Sequence, residues 1–356
     1  MTATLVLYIF GAAQSFFLAM LLVFLIARRQ SAWSRHTAFT TGRDALILPI
    51  RDWIAAEGPV KDVVAGLRAL PPSNVVGYAS FLVRSIVPSE RRAELAELLR
   101  GEAWVRRAIA NASSRRWWRR IDAARALAIV GTLDDRPTVQ RLLEDVHPAV
   151  LVAALACLPL VADAAVVNRV LDRYPLLTPV IRKYLVSKLA ELPVHVDQLL
   201  ATRLGPLEQP EALAEWVRLA GALGLPGALR AAALLTAHES ALVRAAVASA
   251  LRRMPSGAGL HALGILLNDS NASVREEAAA SLGALGSAMA VPMLEAAMHD
   301  RAWQVRRRAG LALAQLGEPG RAVVISLRAD PDPYVASMAT LASGLTDGAL
   351  LERTEN

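Results

Sequence analysis

The feature that most constrains this chain is a sentence written more than once. "DSNASVREEAAASLGALG" runs from Asp269 to Gly286, and "DRAWQVRRRAGLALAQLG" runs from Asp300 to Gly317, so the copies start 31 residues apart. Stepping by that interval from Val274 reaches Val150, Ile181, Ala212, Val243 and Val305. A second column holds Leu127, Leu158, Leu189, Ala220, Leu251, Leu282 and Leu313. A third holds Ala123, Ala154, Leu185, Trp216, Val247, Ala278 and Ala309. A fourth holds Val130, Val161, Leu192, Leu223, Met254, Leu285 and Leu316. Within a unit the columns stand at i, i+4, i+8 and i+11, which is one stripe on a helix. A shorter apolar helix precedes each stripe, as in "GLHALGILLN" and "AVPMLEAAMH". Asp269 and Asp300 precede the striped helix, where a short polar side chain caps free N–H groups. Gly286 and Gly317 follow it, where a left-handed turn is cheap. A helix hairpin of this kind cannot bury its own apolar face, so neighbouring copies must stack. The pattern predicts an all-α chain, a right-handed α-solenoid of stacked hairpins.

Composition agrees with helices. Alanine and leucine dominate, both strong helix formers, and β-branched alternation is scarce. The formal net charge is +7, carried almost wholly by arginine, since the only lysines are Lys61, Lys183 and Lys188. Such a balance admits nucleic acid, anionic lipid or an acidic partner. Cys157 is the single cysteine, so no intrachain disulfide can form, which suits a reducing compartment.

Thr4 to Ala27, "TLVLYIFGAAQSFFLAMLLVFLIA", carries no charge. As a helix it would reach about 36 Å, enough to cross a hydrocarbon core of about 30 Å. A cleaved leader would have a basic start and a shorter apolar core, so the expectation is an uncleaved single-pass anchor, residues 1–27. Arg28, Arg29 and Arg35 follow the span and no Lys or Arg precedes it. The positive-inside rule then places the N-terminus outside and the remainder in the cytoplasm, at an inner membrane of bacterial type. Residues 28–43 read as a polar juxtamembrane linker. Residues 44–113 read as amphipathic pieces outside the register, an N-terminal cap or divergent repeats. The repeat region spans 114–346 and a tail 347–356. Within it, Val335 comes one residue early and lacks the following arginine, as in a degenerate C-terminal cap.

The motif D-x-x-x-x-V-R-x-x-A-x-x-[AS]-L-x-x-L-G resembles the HEAT-repeat family, in the short form also found in bilin-lyase-like proteins. The likeness is fullest over residues 238–317 and holds register from about 114. It implies a protein-binding solenoid whose second helices line a concave side. It also implies that the arginine after the marker valine pairs with an aspartate near the helix start, a ladder of Asp269, Arg275, Asp300 and Arg306, with Arg244 in the same column. One enzyme family with HEAT-like repeats binds iron through His-Glu pairs in several units. Here the pair occurs once, at His238 and Glu239, so no di-iron site is expected. His36, His147, His195, His261 and His299 show no metal-ligand spacing and read as surface or cap residues.

"SSRRWWRRID" is the most unusual local sequence beyond residue 43. Trp117 and Trp118 with Arg119 and Arg120 could meet a protein partner or a lipid interface, could stack on bases, or could simply be one core tryptophan at a solvated helix start. "AWQVRRR", with Trp303, Arg307 and Arg308, is a lesser version. Cys157 occupies a small-residue column and reads as a buried apolar group. No nucleophile elbow, paired-carboxylate motif, phosphate loop or zinc signature occurs, so no catalytic residue, cofactor or metal is expected.

The expectation is therefore a membrane-anchored scaffold or adaptor holding a protein partner at the cytoplasmic membrane surface. By resemblance, the partner could be a membrane enzyme such as a glycosyltransferase of surface-polysaccharide synthesis. A basic solenoid binding nucleic acid is the alternative. It needs a single-sign track, whereas Lys183 and Tyr184, Glu215, Ala245 and Ala246, Glu276 and Glu277, then Arg307 and Arg308 alternate along the units. A bilin-lyase-like enzyme has the repeat in its favour and the absent site chemistry against it. No small-molecule substrate is evident.

Overall fold

A computed structural model describes residue 20 and residues 37–192, 196–205 and 209–344. The expected span 4–27 lies outside the described residues apart from Met20, as do His36, His195, the tail and most of the linker. Among the described residues every element is helical, and no helix is long and apolar enough to cross a membrane. The chain divides into two compact units, Met1–Val161 and Ala162–Asn356.

In the first unit, α1 (residues 37–54) already begins inside the segment expected as linker, where Phe39 packs edge-on to Tyr78 at 5.7 Å. It is followed by α2 (Val60–Arg68), α3 (Val75–Ser85), α4 (Ser89–Arg100), α5 (Ala103–Ala110), α6 (Trp117–Val130), α7 (Arg136–Leu143), α8 (Pro148–Leu155) and α9 (Leu158–Val161). Leu46, Trp53, Leu67, Leu82, Leu95 and Leu99 form a closed core beneath α1–α4. Helix α6 then packs on α3, α4, α5 and α8. The striped helix of the next repeat is broken into α8 and α9. Pro159 has no N–H to give the Leu155 carbonyl, so the stripe stays in register while the helix does not. Cys157 sits at that break, fully buried, with its thiol donating to the Ala124 carbonyl at 3.3 Å. Burial pushes the thiol up to about 12, so it stays protonated.

The second unit runs through α10 (Ala164–Arg173), α11 (Pro179–Ala190), α12 (Val196–Ala201), α13 (Pro210–Leu223), α14 (Pro226–Ala233), α15 (Ala241–Leu251), α16 (Gly257–Leu266), α17 (Ala272–Leu285), α18 (Val291–Ala297), α19 (Trp303–Gln315), α20 (Glu318–Ser326) and α21 (Pro333–Ser343). The striped helices α13, α15, α17, α19 and α21 stack in that order, while α12 packs on α14 and α18 on α20. This two-layer stacking of hairpins is an α-solenoid.

The register is strict. Helices α6, α8, α11, α13, α15, α17 and α19 begin at 117, 148, 179, 210, 241, 272 and 303, each 31 after the last. Helix α21 begins at 333, one residue early. The first three columns are almost wholly buried, from Val150 and Ala154 to Val305, Ala309 and Leu313. The fourth lies at the helix end, and Leu223, Met254 and Leu285 are half-exposed there. Trp216 fills a column otherwise held by smaller residues, and its Nε1 donates to the Leu171 carbonyl at 2.9 Å. Asp269 is not itself the N-cap of α17. Its Oδ1 accepts from the Asn271 N–H at 2.8 Å, and the Asn271 side chain in turn accepts from the Ser273 N–H at 2.9 Å.

Candidate functional site

Two polar systems ride on this register. The first is the arginine ladder. Arg244 donates from Nε and Nη2 to Asp269 at 2.5 and 2.9 Å, and Arg275 does the same to Asp300 at 2.7 and 2.8 Å. The remaining nitrogen, Nη1, turns back to the loop before its own helix. In Arg275 it reaches the Asp269 and Ser270 carbonyls at 2.8 and 3.1 Å. One guanidinium therefore closes its own hairpin turn and holds the next.

Arg120, which the sequence grouped with the exposed cluster, belongs to this ladder instead. It grips Asp145 at 2.6 and 2.9 Å and the Ser114 carbonyl at 2.8 Å, with only 17% of its side chain exposed. The register held the signal: Arg120 and Asp145 each stand four intervals before Arg244 and Asp269. At two junctions both partners are missing. Leu151 is matched by Leu176, and Leu213 by His238, whose Nδ1 accepts from the Ser240 N–H at 3.1 Å. Arg182 has Leu207 opposite in sequence and pairs instead with Glu215.

Arg306 departs from the expected ladder. Its Nη1 keeps the Asp300 carbonyl at 2.8 Å, but Pro331 stands at its partner position. The one-residue shift moves the carboxylate to Asp330, which holds His299 at 3.1 Å. The Arg306 guanidinium lies 5.3 Å over the Tyr334 ring.

Asp269 is held below its ordinary value by hydrogen bonds from Arg244 and the Asn271 amide, which outweigh burial. Burial pushes Asp145 and Asp300 up, yet hydrogen bonds from their arginines and from the His147 and Ala302 amides carry both below the usual range.

The second system is a cleft of about 800 Å³ in the first unit, between the start of α3, α5 and α6. Its walls include Trp104, Trp117 and Trp118, with Arg107, Arg119 and Arg125. The N-terminus of α6 presents the two tryptophans, 42% and 49% exposed. Trp117 is stacked flat on His147, centroids 4.3 Å apart, and Trp118 meets Trp117 edge-on at 5.9 Å. The Arg116 guanidinium lies 5.6 Å over the Trp118 ring. The rings are therefore fixed while exposed, which lowers the entropy lost when something docks on them. The Trp104 Nε1 is buried and makes no hydrogen bond. Asp122 lies in the wall 3.7 Å from Arg125, its carboxyl raised by burial against the pull of that arginine.

Trp104 and Arg107 had no sequence signal, because the pieces before α6 lie outside the register; Asp122 and Arg125 stand on α6 itself. In the lesser cluster, Trp303 is 61% exposed and holds the register position of Trp117. Arg307 is half-buried. Arg308 is largely buried and lies toward Glu276 of the preceding repeat, 3.9 Å away. Of the remaining histidines, His147 accepts from the Ala149 N–H at 3.3 Å, and His261 is exposed. Among the described residues no group of three or more His, Cys, Asp or Glu is arranged to hold a metal.

No curated protein matches the chain in sequence. Among solved structures, an engineered protein is 17% identical, covering 90% of this chain and 96% of that one, with a TM-score of 0.33. Human deoxyhypusine hydroxylase is 19% identical, covering 76% and 95%, with a TM-score of 0.29. A TOG-domain array, from a study of tubulin recruitment and assembly by microtubule polymerases, is 12% identical, covering 82% and 84%, with a TM-score of 0.27. The sequence signature of HEAT repeats matches residues 260–344, which hold α17, α19 and their ladder. Over those residues the chain carries HEAT repeats.

Proposed function

We propose that the chain is a non-enzymatic scaffold that holds a protein partner at the cytoplasmic face of a membrane, through the tryptophan–arginine cleft of the first unit. The observation that carries this reading is the cleft itself. Three tryptophans, two of them held rigid while exposed, stand beside Arg107, Arg119 and Arg125, and such residues dominate protein-binding hot spots. The chemistry suits a partner segment with an aromatic or aliphatic anchor beside carboxylates, which the arginines would pair. The apolar run 4–27 supports anchoring in the membrane. Anchoring would raise the effective concentration of a co-anchored partner such as a membrane enzyme.

The test uses the full chain in mild detergent, with a photo-crosslinking amino acid at position 118. One membrane protein should crosslink at that position, and the variant Trp117→Ala/Trp118→Ala/Arg119→Ala should lose it while keeping its helicity and melting. Arg120 is left intact, because it holds the ladder. A variant that folds and keeps the partner would overturn the reading. Nuclease-sensitive nucleic acid in place of any protein would install the basic-solenoid alternative.

A further inference from the structure

We propose that the apolar groove between α1 and α3 is a bilayer-contacting face, seated in the interfacial zone of the membrane that residues 4–27 enter; this rests on the anchoring reading above. On α1, Ile47, Ile50 and Ile54 recur on one helical face, and Ala55 follows its end. With Tyr78 and Ile86 they line a groove of about 440 Å³. Ile47 and Leu48 are each 56% exposed, Phe81 53% and Ile86 42%. Phe81 continues the surface, since its ring lies 6.1 Å from that of Tyr78. A contiguous apolar patch of this kind is rarely left to water.

Chain length decides what can cover it. The apolar run ends at Ala27 and α1 is described from residue 37, so nine residues intervene. Fully extended they reach about 31 Å, and Ile47 lies roughly 15 Å along α1. The face thus stays within about 46 Å of the end of the run on any path, so the bilayer is always in reach, whereas a soluble occupant must be found by diffusion.

Charge points to the lipid interior rather than to anionic headgroups. Arg43 is held by Asp44 at 2.7 Å and Arg51 by Asp52 at 2.8 Å, so the rim of the groove is close to neutral. Attraction then rests on apolar area, as for an interfacial helix, and needs no anionic lipid.

The test places an environment-sensitive fluorophore on the full chain at Ile47→Cys, at Phe81→Cys, at Leu21→Cys inside the apolar run, and at Val146→Cys, a control position 91% exposed. Cys157 does not compete for the label, since its buried thiol stays protonated. The protein is reconstituted in phosphatidylcholine vesicles carrying doxyl-labelled lipid. Positions 47 and 81 should be quenched about two-fold, unchanged at high salt, with position 146 unaffected. Quenching at 21 without quenching at 47 or 81 would overturn the groove and leave the anchor. No quenching at 21 would overturn both. Self-quenching at 47 that is relieved by unlabelled protein would give the face to a second copy and overturn the inference.

Discussion

At the residue scale the ladder arginines carry a stake out of proportion to their number. The Arg275 and Asp300 side chains are 6% and 12% exposed, so removing one strands a nearly buried charge. Arg275→Met should cost about 3 kcal/mol in urea unfolding, and adding Asp300→Leu should recover at least part of that. A double variant as unstable as the sum of its singles would mean that the two groups do not act as a pair. The same carboxylates set the acid limit. Asp145, Asp269 and Asp300 are held below the ordinary value of 3.8, so at that pH the unfolded chain binds more protons than the folded one. Their stabilisation is full above the unfolded value and is lost as pH falls through it toward the folded values. The urea midpoint should therefore decline from about pH 5 downward. Asp269→Asn should flatten that decline, and an unchanged slope would remove Asp269 from the ladder's acid response.

At the element scale, what fixes the approach of the striped helices is a small residue facing a small residue. A Cβ built on Gly283 would lie 2.7 Å from the Ala312 Cβ and 2.9 Å from its Cα, and Gly221 faces Ala250 in the same way two intervals earlier. Backbone cannot yield as a flexible side chain would. Gly283→Ala should cost about 2 kcal/mol by forcing α17 from α19. Gly286→Ala should cost about 1 kcal/mol for a different reason, the left-handed φ of 69° that ends α17. If the first variant melts like wild type, the crossing is looser than these distances imply. These elements were legible because the stripe, the flanking glycines and the interval all point the same way. The break at Pro159 was legible in principle, since proline forbids the bond, but the unbroken stripe hid it. Arg120 was misread because its neighbours Trp117 and Trp118 suggested a patch, while its register with Arg244 gave its role. The cleft was only half legible. Trp104 and Arg107 reach it from a helix that obeys no repeat, and their meeting with α6 is a fact of tertiary packing alone.

At the scale of the whole molecule, the second unit is a stack in which each hairpin touches its neighbours, with no single core to lose. Stability is then close to a sum of local and nearest-neighbour contributions. The ladder makes this uneven. In the second unit it joins the repeats of α15, α17 and α19 through Arg244–Asp269 and Arg275–Asp300, while Leu213 and His238 leave the preceding junction without one. Damage should therefore spread only as far as contacts carry it. Ala278 is fully buried in α17, and Ala278→Asp would place an unpaired carboxylate among apolar side chains. Native-state hydrogen exchange should then lose protection across α15, α17 and α19 while α10 and α11 keep theirs. Equal loss from Ala164 to Ser343 would make the second unit one cooperative body, and the nearest-neighbour account of this chain would have to be given up.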